Sequence, residues 1–233
     1  MDRLTTRSIQ GLVILALPVL LALTAGHLLI NVWYLEYEYG KSDFPPDTYG
    51  LTQQQRLDLA TVSIRFLQRR EPVEVAIKLL EAQRLPGTDK PLFDQFEISH
   101  MLDVKRFTSA LWRVQYAAGL IVIGGLLLLL ARKGTRPEGH RALFLGGAWS
   151  AGLLACLVLF VLLSWRIFFA TFHELFFPPG TWTFDWSSSL IRLYPDRLWF
   201  DGGTIITVGT LLAGAVIGTL GYAFGRAGSR LGN

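Results

Sequence analysis

One cysteine, Cys156, stands in a chain of 233 residues, and it lies in the middle of an apolar block. That excludes an intrachain disulfide and a cysteine metal cluster, and leaves Cys156 as a small lipid- or helix-facing hydrophobe. Catalytic signatures are scarce too. There is no GxSxG-type serine or cysteine nucleophile motif, no P-loop and no dinucleotide fingerprint, so any catalysis must rest on general acid–base work and positioning. HExxH is absent, so neither a metal nor another cofactor is expected. The net charge is +4, yet no basic and aromatic RNA-binding motif accompanies it, and no nucleic-acid partner is expected. Charge itself is nearly missing from four long stretches.

Those stretches decide the class. Apolar residues make up 51% of the chain, and mean hydropathy is +0.38. A soluble domain would spread its apolar residues periodically around a core, whereas here they are gathered into blocks. A bilayer core of about 30 Å needs roughly 20 apolar residues in helix. Four segments reach that length, at about Gly11 to Leu35, Ser109 to Ala131, Ala142 to Phe169 and Thr204 to Phe224. The first exceeds a signal-peptide h-region and no A-x-A site closes it, so it reads as an uncleaved span. The expected fold is an all-α membrane protein, a four-transmembrane-helix bundle with a helical extracytoplasmic cap. Residues 1–35 form the N-terminal tail and first span, 36–108 the cap, 109–131 the second span and 132–141 a cytoplasmic loop. Residues 142–169 form the third span, 170–203 an aromatic outer loop, and 204–233 the fourth span and tail.

Lysine and arginine in short loops set orientation. Arg3 and Arg7 lie at the N-terminus, Arg132, Lys133, Arg136 and Arg141 in the second-to-third loop, and Arg226 and Arg230 in the C-terminal tail. Four spans put all three groups on one side, which should be cytoplasmic, with both termini. In the fourth span, Gly214 and Gly218 form a GxxxG pair, and Gly221 and Gly225 another. Small residues let helix backbones approach closely in lipid. Packing inside the bundle is the expected use, and a homodimer is the alternative.

The cap should hold two short amphipathic helices. Thr52 is placed to cap a helix through TQQQRLDLATVSIRFLQRR, where Leu57, Ala60, Ile64 and Leu67 make one stripe. Pro72 opens a second segment, ended by Pro86-Gly87. The other outer loop gathers Phe172, Phe176, Phe177, Trp182, Phe184, Trp186, Tyr194, Trp199 and Phe200 in about thirty residues. An interfacial aromatic belt accounts for part of this. The rest reads as a partly re-entrant segment lining an apolar, ligand-sized pocket, with Phe172, Phe176, Trp182, Trp186 and Trp199 as its candidate lining.

Of the four histidines, His140 falls in the cytoplasmic loop and His27 near the outer end of the first span. His100 and His173 come from separate outer segments, and topology should bring both to the same depth. Their spacing is compatible with catalysis, with metal binding or with ordinary interface polarity. If FEISHMLDVKRF is helical, Asp103 shares a face with His100 and could hold its imidazole tautomer. Arg113 and Arg166 sit near the outer ends of their spans. Ionisable groups at such depth tend to be paired or functional, with Glu36, Glu38 and Asp103 within reach as partners. A structural ion pair or snorkelling is one reading, and contact with a lipid phosphate, a carbonyl or a developing oxyanion the other.

The segments EISHMLDV and FHELFFPPGTWTFDWSSSLIRLYPDRLW resemble the bacterial lipoprotein intramolecular transacylase family, which includes relatives of unknown function. The likeness covers the four-span layout, the cap between the first two spans and both outer motifs. It implies a multi-pass protein of the bacterial cell membrane that takes a membrane lipid or diacylglyceryl lipoprotein as substrate. The implied activity is an acyltransferase moving the sn-2 acyl chain of a diacylglyceryl lipoprotein onto the amine of its own N-terminal cysteine. The histidines of the two motifs, His100 and His173, would carry it, with Asp103, Arg113 and Arg166 in support. The alternative is a non-enzymatic lipid- or partner-binding protein on the same scaffold. A transporter is disfavoured, since neither broken midplane helices nor a buried acidic pathway is evident.

Overall fold

The computed structural model describes residues 1–231, with side chains described through Gly228; Arg230, counted above in the C-terminal tail, falls outside the described side chains. Helices follow one another as α1 (Arg3–Leu29), α2 (Val32–Tyr39), α3 (Gln53–Gln68), α4 (Val73–Ala76), α5 (Lys78–Glu81), α6 (Gln95–Leu130), α7 (Arg136–Leu163), α8 (Trp165–Phe176), α9 (Ser189–Leu193) and α10 (Asp196–Leu231). Among the described residues, extended pairing is limited to a bridge between Arg84 and Pro91. The fold is all-α, and α1, α6, α7 and α10 are long and apolar enough to cross a membrane.

The helices do not end where hydropathy does. Helix α6 begins fourteen residues before Ser109, and α10 begins eight before Thr204. The first apolar run is cut at Leu29, and Asn31 opens α2 by accepting the Trp33 N–H. The third run is cut at Ser164, whose backbone (φ −142°, ψ 43°) leaves the helical region between α7 and α8. Apolar residues continue across both breaks, so hydropathy alone carries no sign of them.

The chain divides into two compact units. One holds Met1–Gly26, Leu111–Leu163 and the chain from Thr204 on. In its interior Val13, Leu129 and Ala142 pack with Ile9, Ile14 and Leu126 around them, and Leu17, Leu154 and Val161 are buried as well. Outward, it shows apolar side chains such as Leu12, Leu120, Ile123, Leu127, Leu163 and Leu212, the surface expected of helices solvated by lipid. Helices α7 and α10 meet backbone to backbone. A Cβ placed on Gly147 would overlap Gly218 and lie 2.5 Å from the Gly214 carbonyl oxygen, and one on Gly214 would lie 2.7 Å from Ser150. The first GxxxG pair of the fourth span is therefore used within the chain, where small residues let dispersion and weak polar contacts act at short range.

The other unit holds His27–Ala110 and Ser164–Gly203. Helix α3 starts with a capping box, Thr52 accepting from the Gln55 N–H and the Gln55 side chain accepting from the Thr52 N–H. At its other end, Lys105 donates to the carbonyls of Phe66 (3.0 Å), Leu67 (2.6 Å) and Arg69. A buried ammonium thus satisfies carbonyls that a helix C-terminus leaves open. Three tyrosines tie helices together through their hydroxyls: Tyr34 donates to the Leu198 carbonyl, Tyr39 to that of Leu193 and Tyr194 to that of Ala60, at 2.6–2.7 Å. Arg192 holds the nearly fully buried carboxylate of Asp47 with two bonds, at 2.9 and 3.0 Å.

Candidate functional site

Helix α6 is locked at its start. Asp94 accepts the Glu97 N–H and Glu97 accepts the Asp94 N–H, both at 2.8 Å, which is a reciprocal cap. The second oxygen of the Glu97 carboxylate accepts the Leu190 N–H of α9 at 2.8 Å, and Ser189 donates to the Leu92 carbonyl. His100 lies three residues after Glu97, so its position is set by a helix terminus whose polar groups are satisfied. The ring is buried, at 9% exposure.

His173 comes from the last turn of α8. Beyond α8, the sequence PPGT forms a tight turn in which Thr181 N–H donates to the Pro178 carbonyl at 3.2 Å. Gly180 has φ +81°, a conformation that type II turns require at the residue after Pro179 and that glycine adopts without strain. The turn sends the chain back, and Trp182 meets the ring of the histidine nine residues before it.

The two imidazoles lie face to face, 6.3 Å apart between centroids and inclined by 26°. Around His100 are Phe177 at 5.2 Å and Phe184 at 5.4 Å. Around His173 are Phe169 at 4.1 Å, Trp182 at 4.9 Å, and Phe172 and Phe177 at 5.5 Å. Phe107 packs on Phe172, Phe176 and Phe177. The result is an aromatic chamber holding two imidazoles, with no carboxylate bonded to either among the described residues.

The histidines differ in their polar partners. His173 Nδ1 lies 2.8 Å from the Phe169 carbonyl. A carbonyl only accepts, so Nδ1 carries the proton and Nε2 keeps its lone pair in the neutral ring. Burial pushes the His173 imidazole below its ordinary range, against a smaller opposing effect of the Phe169 carbonyl. His100 Nδ1 is buried with no hydrogen-bond partner, and so is Trp182 Nε1.

Several expected members stand apart. Asp103 does not hold the His100 imidazole; its carboxylate pairs with Arg106 at 3.2 Å instead. The i+3 spacing is right, but an arginine at the same spacing onward competes for the acid in water. Arg113 and Arg166 are both exposed, and Glu38, offered as a partner, is taken by Lys41 at 2.7 Å. Arg113 belongs to the other compact unit. Of the expected pocket residues, Phe176 is 45% exposed and packs on Phe107 and Phe172, while Phe172 and Trp182 belong to the chamber. Trp199 reaches only its edge, 6.5 Å from Phe169, with its indole N–H given to the Tyr194 carbonyl at 3.1 Å. Trp186 is 76% exposed and takes no part. Phe107 and Phe169 were missed by sequence reasoning, though helix periodicity could have found them: Phe107 is seven residues after His100, and Phe169 is four before His173.

Comparison with known proteins identifies the family. The family described as lipoprotein intramolecular transacylase Lit matches residues 10–199. An uncharacterized protein of Aquifex aeolicus (strain VF5) is 30% identical over 194 residues, covering 82% of this chain and 84% of that protein. Among solved structures, the membrane-integral lipoprotein intramolecular transacylase Lit from Bacillus cereus is 20% identical with a TM-score of 0.75, over 99% of this chain and 100% of that one. A variant of that protein with a histidine replaced by arginine aligns with a TM-score of 0.64 at 20% identity, covering 97% of this chain and 92% of that one. With four helices fit to span a bilayer and a match over most of its length, the chain belongs to the lipoprotein intramolecular transacylase Lit family, a family of membrane transacylases.

Proposed function

We propose that this protein moves the sn-2 acyl chain of a diacylglyceryl lipoprotein onto the amine of the same molecule's N-terminal cysteine, with His100 and His173 as the catalytic pair. The observation that carries the reading is the pairing of two imidazoles, His100 buried and His173 half-buried, 6.3 Å apart, in a chamber of aromatic rings. Family membership supplies the reaction class. The proposed orientation puts the histidine-bearing unit outside the cell and both termini in the cytoplasm, as the short-loop basic residues favour.

The asymmetry of the pair supports a division of labour. His173 has its Nδ1–H committed to the Phe169 carbonyl, so its Nε2 is the atom that takes a proton from the attacking amine. Burial keeps that ring neutral near neutral pH, as a base must be. The amine nitrogen bonds to the ester carbonyl carbon, and the carbonyl electron pair moves to oxygen. As the pair returns, the bond to the sn-2 glyceryl oxygen breaks, and that oxygen takes the proton the amine gave to His173, relayed through His100, which accepts on one ring nitrogen and releases from the other. The net transfer is one proton from nitrogen to glycerol. No group outside the substrate enters the balance.

The aromatic walls contribute orientation. An intramolecular acyl transfer requires the lipid to fold back on the peptide terminus, and confinement can supply effective molarities of about 10⁵ M or more.

The test is mass spectrometry of lipoproteins from a host expressing the full chain. Lyso-form N-termini with an N-acylated cysteine should accumulate with the native protein, and should be absent with His100→Ala or His173→Ala at equal membrane levels. Unchanged diacylglyceryl forms with the native protein would refute the assignment.

A further inference from the structure

Hydrogen-bond satisfaction in the chamber is uneven in a way the two histidines do not explain. Among the described residues, two buried side-chain nitrogens lack any partner, His100 Nδ1 and Trp182 Nε1, and both lie in this cluster. A buried polar group without a partner costs about 1–3 kcal/mol, so each calls for a reason. His100 has one in proton transfer. Trp182 Nε1 is different, because an indole N–H only donates and does not titrate. It can serve only an acceptor brought to it. Trp199 shows the contrast: its N–H is spent on the Tyr194 carbonyl.

The position of Trp182 is built. The Pro178–Thr181 turn, with Gly180 at positive φ, returns the chain so that the indole lies 4.9 Å from the His173 ring, inclined by 33°. A donor held beside the base, and committed to nothing in the protein, is available to a carbonyl attacked by an amine that lies on His173.

We infer that Trp182 is a third catalytic residue, whose indole N–H donates to the ester carbonyl oxygen as that oxygen becomes the oxyanion. This rests on the transacylase reading above and deepens it, leaving both imidazoles to proton transfer. The carbonyl electron pair moves onto the oxygen facing Nε1–H and returns when the glyceryl C–O bond breaks; the indole keeps its proton throughout. A preorganised donor of this kind in a dry site typically changes kcat by about 10²–10³.

Two measurements on the full chain in bilayer-mimicking bicelles test it. The first uses a diacylglyceryl lipopeptide and compares the native protein, Trp182→Phe, and a form with benzothienylalanine at position 182, where sulfur replaces N–H in a ring of the same shape. Both altered forms should lose about 10²–10³ in kcat with KM within about threefold, and the acid limb of the pH profile should stay in place. Activity within threefold of native for the benzothienyl form would overturn the inference, since shape alone would then suffice. The second needs no turnover. A phosphonate in place of the sn-2 ester mimics the tetrahedral oxyanion, and an ether in its place does not. Trp182→Phe should weaken phosphonate binding by about 10²-fold and leave ether binding unchanged; equal effects on both would overturn the inference. A native protein that discriminates the two analogues through Trp182 but forms no lyso-lipopeptide would sink the transacylase assignment and leave the donor role standing.

Discussion

At His173, one backbone carbonyl decides which ring nitrogen is chemically available. Phe169 is four residues earlier on α8, so its carbonyl lies where the helix brings it under the ring, and accepting Nδ1–H leaves Nε2 free. A base must be unprotonated to act, and burial holds His173 below the 6.5 of an ordinary imidazole. The sign is therefore fixed: beyond the limb that the substrate's own α-amine contributes at about 8, His173 should add a second acid limb only below 6.5. With the amine's titration measured on the free lipopeptide and divided out, a kcat/KM profile whose remaining acid midpoint lies above 6.5 would contradict this assignment. Replacing His173 by Gln should lower kcat by about 10²–10⁴ while the protein keeps its melting temperature, because the hydrogen bond the ring makes among the described residues is to a carbonyl already within a helix. His100→Gln should act similarly, read by the same lyso-lipopeptide assay.

The elements that carry these rings are fixed by specific polar bonds added to a buried apolar interior that includes Leu35, Phe66, Leu80 and Leu193. Lys105 closes α3 by donating to three carbonyls, and it does so from α6, the helix that bears His100. Lys105→Met keeps the length and removes the donors, and should cost about 1–3 kcal/mol, seen as a lower melting temperature in detergent. The Arg192–Asp47 pair joins the segment before α3 to α9, with Asp47 at 1% side-chain exposure. Asp47→Ala would strand a largely buried guanidinium that also lies over Tyr49, and breaking such a pair costs about 3–5 kcal/mol. Thermal unfolding of the two variants should rank them in that order. If Asp47→Ala melts with the native protein, the pair is not structural.

For the whole molecule, the membrane unit depends on α7 and α10 meeting without side chains between them. Gly147→Leu inserts a branched side chain where even a Cβ would overlap Gly218. The expected outcome is loss of folded protein from the membrane, measured as protease-resistant yield, whereas Gly152→Leu, with open space around it, should be tolerated. Orientation is testable in a Cys156→Ser background. Cysteines at Thr88 and Lys133, both exposed positions, should react oppositely with a membrane-impermeant maleimide in intact cells: Thr88→Cys labelled, Lys133→Cys labelled only after permeabilisation. The reverse pattern would invert the topology and remove the histidines from the compartment the proposal needs.

Sequence alone determined the number of spans and the all-α class, because the length of an apolar run against a bilayer is a one-dimensional quantity. It also located the Thr52 cap, the glycine approach in α10 and both histidines, each being a local spacing or a motif. Only the tertiary structure decided which neighbours the histidines keep. Asp103 had the right spacing and turned to Arg106, Trp186 had the right composition and faces outward, and Phe107 and Phe169 entered from positions composition did not mark. The breaks at Asn31 and Ser164 were invisible for the same reason: hydropathy records how apolar a residue is, while helix rotation and the turn at Gly180 determine what it touches. Distances such as the 6.3 Å between two imidazoles arise when segments some seventy residues apart pack together, and no local pattern encodes that.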